Sequence, residues 1–100
     1  QMRLTPDQEQ IIKSTVDRVL EAESRVWLFG SRVDDELRGG DIDLLIETEA
    51  AFSNRAKIIC RIYGALIYAL GDRKLDVLLK DARTRDAPIF NVAKRTGVLL

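Results

Sequence analysis

The sequence predicts an α/β fold, a small mixed β-sheet of about three strands flanked by helices, and three observations predict it. Stripes of apolar residues at helical spacing alternate along the chain with short apolar, β-branched runs. Glycines stand where those runs and stripes stop, at Gly30, Gly71 and Gly97. The chain has 100 residues, 46% of them apolar, which suits one compact domain with a real core and is too little for two. Residues 1–100 are therefore expected to form a single domain, with Gln1 an addition ahead of Met2 as the natural start.

The elements follow in order. Thr5 is the expected N-cap of a first helix, with Pro6 at its first position and Gln8 completing a capping box. Ile12, Val16, Val19 and Leu20 form its stripe, which should run to about Ala22. Arg25–Phe29 is short, aromatic and β-branched and stops at Gly30, as a buried strand does. Ser31–Leu37 is a turn or short helix, and Gly39-Gly40 a second turn. Asp41–Glu47 is a second strand. Ser53–Leu70 is a long helix with Ala56, Ile59, Ile62, Tyr63, Leu66, Ile67 and Leu70 on its apolar face and Gly71 at its C-terminus. Lys74–Leu79 is a third strand. A last helix begins near Asp86-Ala87-Pro88, turns Ile89, Val92 and Ala93 inward and ends near Gly97. The apolar tail Val98-Leu99-Leu100 should dock on the core. A helix between strands two and three makes those strands parallel. If Gly30 and Asp41 face one site, strands one and two are antiparallel.

Composition narrows the chemistry. Lys plus Arg and Asp plus Glu are 16 each, so the formal net charge is zero and bulk nucleic-acid binding is not expected. There is no histidine and one cysteine, Cys60. That removes His-dependent nucleophilic catalysis, an ordinary zinc site and any intramolecular disulfide. No apolar run approaches the ~20 residues of a membrane span, and no signal-peptide pattern opens the chain. A cytoplasmic protein is expected, working with carboxylates, hydroxyls, basic groups or oxygen-bound metal ions.

Asp41 and Asp43 are two apart on a strand, so both side chains fall on one face and Ile42 and Leu44 on the other. Asp76 begins the third strand, and parallel pairing would bring all three to one end of the sheet. An acid among Leu75, Val77, Leu78 and Leu79 needs a reason. Clustered carboxylates repel unless a cation joins them, and Mg²⁺ takes such oxygen ligands together with substrate phosphates. Two ions roughly 4 Å apart serve phosphoryl or nucleotidyl transfer. Alone, each is better read without chemistry, Asp41 as a cap at the strand start and Asp43 and Asp76 on a solvated sheet face; the combination with the preceding glycine-serine turn shifts the balance. Gly30 permits unusual backbone angles and close approach of a ligand, while Ser31 offers a hydroxyl and an amide to phosphate. A lone Gly-Ser is more often a turn and a helix N-cap. No Gly-Lys-Ser/Thr follows the strand, so this is not a P-loop.

Taken together, Leu28-Phe29-Gly30-Ser31-Arg32, the residues to Gly40, and Asp41-Ile42-Asp43-Leu44-Leu45-Ile46 resemble the signature of the DNA polymerase β-like nucleotidyltransferase superfamily. The chain is most similar in plan to the minimal nucleotidyltransferases, and the likeness covers nearly all of it. The resemblance implies that Gly30 and Ser31 hold a nucleoside triphosphate. It implies that Asp41, Asp43 and Asp76 bind metal, two Mg²⁺ ions, with Asp76 helping to deprotonate an acceptor hydroxyl. Arg32 either helps with phosphate charge or forms a surface salt bridge. Asp34-Asp35-Glu36 departs from the pattern, because three acids near a triphosphate oppose it unless they point away or pair with Arg32, Arg38 or a partner.

Three functions are compatible with these residues. The first is transfer of AMP from ATP onto a hydroxyl of a partner protein, as the antitoxin of a toxin–antitoxin pair with a HEPN-domain toxin; the resemblance implies this partner. The second is a binding module that neutralises its partner by contact. The third is a small-molecule nucleotidyltransferase of the antibiotic-modifying kind. The apolar tail and an edge strand permit a homo-oligomer without requiring one.

Overall fold

The computed structural model describes residues 4–30 and 42–100. Three helices and four strands lie among these residues: α1 (Pro6–Leu20), β1 (Ser24–Phe29), β2 (Ile42–Thr48), α2 (Arg55–Leu70), β3 (Leu75–Lys80), α3 (Pro88–Thr96) and β4 (Val98–Leu99). The turn expected over Ser31–Leu37, the Gly39-Gly40 turn and the first residue of the second strand, Asp41, lie outside the described residues.

The capping box at the start of α1 is formed in full. Gln8 N–H donates to Thr5 Oγ1 at 3.0 Å, and Thr5 N–H donates to Gln8 Oε1 at 2.9 Å. The helix stops two residues before the expected Ala22. Glu21 takes the left-handed conformation, φ 56°, and its N–H closes onto Asp17 O at 2.8 Å. A glutamate gives no sequence warning of that ending. Asn54 caps α2, accepting from Lys57 N–H at 3.0 Å, and Gly71 ends it with φ 94°.

The sheet order is β3-β2-β1-β4. β1 and β2 are antiparallel, and β2 and β3 parallel, as expected; the two-residue β4 was not foreseen and pairs antiparallel with β1. Alternation divides the strands between two apolar layers. Val26, Leu28, Ile42, Leu44, Ile46, Leu75 and Leu79 pack with Ile12 and Val16 of α1 and Ile62 and Leu66 of α2. Leu45, with Trp27, Phe29 and Leu78, packs beneath Phe90 and Ala93 of α3. Because β2 is covered on both faces, Leu44, Leu45 and Ile46 are all fully buried, and the strand reads as one apolar run.

Two helix faces differ from expectation. Ala56 is exposed and Ile58 packs on the core in its place, one turn from Ile62. Ile89 and Val92 are 49% and 41% exposed, whereas Phe90 and Ala93 are buried. Phe90 is the larger side chain, and placing it over Leu45 rotates its neighbours outward. The tail docks through its backbone: Leu100 N–H donates to Val26 O at 2.8 Å and Leu100 packs on the core, while Val98 and Leu99 remain 45% and 55% exposed.

Candidate active site

β1 delivers its last residue, Phe29, to the end of the sheet where β2 and β3 begin. The register sets Phe29 opposite Asp43 and Asp43 opposite Asp76. Directly opposed residues point to the same face. Phe29, Asp43 and Asp76 therefore form one transverse row, on the side of the sheet that carries α3. The next row is Trp27, Leu45 and Leu78, which α3 covers, and the third is Arg25, Glu47 and Lys80. The carboxylate row sits beyond that apolar strip. Asp43 is half-buried and Asp76 exposed.

Gly30 completes this corner. Its φ is +77°, a backbone conformation that disfavours any side chain. A Cβ at position 30 would come within 2.5 Å of Asp43 Oδ2 and 3.2 Å of Asp43 Cγ. The first turn residue and the carboxylate thus occupy adjoining space, and only a bare Cα allows it. Leu45 locks Asp43 from below, since its full burial under Phe90 and Ala93 fixes which way β2 faces.

At the opposite end of the same face Glu47 is paired with two cations. Glu47 accepts from Lys94 Nζ at 2.6 Å and from Arg25 Nε at 3.2 Å, and Lys94 also sits 5.3 Å from the centre of the Trp27 ring. Burial pushes the Glu47 carboxyl up, but these two cationic donors outweigh it and hold it below the ordinary glutamate value. A groove of ≈ 540 Å³ opens at that end, lined by Asp17, Glu23, Ser24, Arg25, Glu47 and Glu49 among others. With four acids to one arginine, it repels rather than collects a polyphosphate.

Two side chains of α2 reach the outer edge of β3. Tyr63 Oη accepts from Val77 N–H at 3.0 Å, and Arg55 Nη2 donates to Leu79 O. Sequence reasoning placed Tyr63 only on an apolar face. Its hydroxyl partner lies in another element, and no local pattern signals it.

Of the residues singled out in the sequence, Gly30, Asp43 and Asp76 come together, whereas Ser31, Arg32 and Asp41 lie outside the described residues, as does Asp34-Asp35-Glu36. The family model described as the nucleotidyltransferase domain matches residues 9–96, nearly the whole fold and every one of these positions.

The chain belongs to the nucleotidyltransferase domain family.

This places it in the DNA polymerase β-like superfamily that its motif resembles. No curated protein sequence matches it. Members of the family typically use Mg²⁺ and a nucleoside triphosphate. The donor chemistry of this nucleotidyltransferase domain fits such an ion: two carboxylates opposed in register on one face, with the Asp43 carboxylate lying against the bare Gly30 Cα. Among the described residues no group of three metal-ligating side chains assembles. No helix among the described residues is long and apolar enough to cross a membrane.

Proposed function

We propose that the protein is a Mg²⁺-dependent nucleotidyltransferase that moves AMP from ATP onto a hydroxyl of a partner protein, acting as the antitoxin of a HEPN-domain toxin. The observation that carries the catalytic reading is the Asp43–Asp76 pairing on the face against which the bare Gly30 backs. In this reading Gly30 and Ser31 hold the triphosphate, and Arg32 offsets its charge. Asp41, Asp43 and Asp76 hold the metal ions, and Asp76 also receives the acceptor's proton. The acceptor oxygen forms a bond to the α-phosphorus, the bond from that phosphorus to the bridging oxygen breaks, and pyrophosphate leaves. Mg²⁺, when bound, supplies positive charge to the phosphates. Ser31, Arg32 and Asp41 enter on their motif positions alone, and the HEPN partner on the resemblance.

The test uses labelled ATP, Mg²⁺ and a partner co-purified from the native host. The wild type is expected to label the partner, and Asp41→Asn and Asp43→Asn to lose labelling while staying folded. An unlabelled partner, with wild type and Asp43→Asn indistinguishable, refutes the transfer.

A second reading, neutralisation by contact, is favoured by Asp34-Asp35-Glu36, an acidic run suited to a basic, RNA-cleaving partner. In that case Asp43→Asn leaves neutralisation intact.

A further inference from the structure

β3 ends the sheet, and parallel ladders bond alternate residues to the neighbouring strand. Ile42 N–H donates to Lys74 O at 3.0 Å, which assigns the backbone groups of Asp76 and Leu78 to β2 and leaves those of Val77 and Leu79 pointing away from the sheet. Those outward groups are the ones that α2 satisfies. Tyr63 Oη takes Val77 N–H, and Arg55 takes Leu79 O. Val77 N–H belongs to the peptide unit that directly follows the Asp76 Cα. Tyr63 is half-buried and packed on the core, so its ring has little freedom to follow that peptide if it moves. Asp76 itself is exposed and has no salt-bridge partner among the described residues to hold it.

We propose that Tyr63 is a positioning residue for Asp76: its hydroxyl pins the Asp76–Val77 peptide and so sets the carboxylate of Asp76 at its place beside Asp43. The proposal rests on the reading of Asp76 as a metal ligand given above. A carboxylate on an edge strand is held on one side by the ladder to β2 and on the other by whatever occupies the open edge. Here that occupant is a single phenol oxygen at the site end. Two residues along, Arg55 does the same at Leu79 and also pairs with Asp81 (Nε–Oδ2, 3.7 Å). Arg55 therefore serves as an internal comparison, an edge anchor of the same strand remote from the carboxylate row.

The experiment titrates Mn²⁺ into the full chain with a non-hydrolysable ATP analogue and follows free Mn²⁺ by its paramagnetic resonance signal. Wild type, Tyr63→Phe, Arg55→Gln and Tyr68→Phe are compared, with Asp76→Asn as the ligand control. Tyr68 is on the same helix and 93% exposed, so its variant tests the loss of a hydroxyl with no edge contact. Tyr63→Phe is expected to weaken Mn²⁺ binding about 10-fold or more, the scale on which hydrogen-bonded supports of metal ligands act. Arg55→Gln is expected to lower the melting temperature and leave the Mn²⁺ affinity unchanged, and Tyr68→Phe to change neither. Wild-type affinity in Tyr63→Phe overturns the proposal, as does equal weakening in Tyr63→Phe and Arg55→Gln, which would mark both as general stabilisers. Failure of the underlying reading shows elsewhere, as wild type and Asp76→Asn binding Mn²⁺ alike.

Discussion

At the scale of single residues, the site depends on an atom that is missing. Gly30→Ala places a methyl group in a left-handed backbone conformation and 2.5 Å from Asp43 Oδ2. The conformation alone should cost about 1–2 kcal/mol, readable as a lower urea midpoint. The displaced carboxylate should cut labelled transfer by on the order of 10²-fold, the usual consequence of a misplacement near 1 Å. A Gly30→Ala protein with full activity would show that Asp43 is not where the chemistry occurs. Asp43 and Asp76 were legible as candidates because acids are out of place in apolar strands. Their pairing was legible only conditionally, since it needed the parallel register that packing supplies. Phe29 as the third member of the row, and Tyr63 as the anchor of the edge, had no signal in the sequence. The first follows from which strand lies next to which, the second from where α2 crosses the open edge of β3.

At the scale of elements, periodicity located every described helix and three of the four strands, because each buries a face wide enough to leave a pattern. β4 escaped since its two residues bury neither side chain well and are held by backbone pairing. The inner face of α3 was misjudged for a related reason: on a nine-residue helix, several stripes are compatible with the spacing, and contact with Leu45 decides between them. Gly97 joins these two elements. A Cβ there would meet Ala93 O at 2.5 Å and Leu28 O at 2.7 Å, both of them backbone atoms. Gly97→Ala should therefore destabilise the fold by about 1–3 kcal/mol through overpacking, measured by urea unfolding. Leu45→Ala removes the side chain on which α3 is seated. It should cost about 2–5 kcal/mol and bring a loss of transfer, as the α3 layer loosens above the carboxylate row. If Leu45→Ala unfolds no more readily than wild type, the second apolar layer contributes nothing to stability.

At the scale of the whole molecule, two carboxylates away from the Asp43–Asp76 row, Glu47 and Asp81, tie stability to pH. Burial pushes the Asp81 carboxyl up, but the Thr84 hydroxyl, the Arg83 amide and the Arg55 charge outweigh it, so Asp81, like Glu47, titrates below its ordinary value. Unfolded, these groups take up protons near 3.8 and 4.5; folded, they hold out to lower pH. The stabilisation is complete above the unfolded values and is lost as pH falls through the folded ones. The urea midpoint should stay level between about pH 7 and 5.5 and fall steeply below the glutamate range. Glu47→Gln should start lower and fall less. An equal acid slope in both proteins would remove Glu47 from the account. The parallel pairing of β2 with β3 also has a consequence for how the chain tolerates change. Side chains on a strand alternate with a period of two, so a slip of β3 by one residue does not move Asp76 slightly away from Asp43. It turns Asp76 toward Ile62 and Leu66 and offers Leu75 in its place. The carboxylate pair is thus governed by parity. A single residue inserted between Asp76 and Val77 should abolish it outright, whereas one added to the Gly71–Lys74 connection can be absorbed as slack, with Tyr63 at Val77 and Arg55 at Leu79 keeping the count.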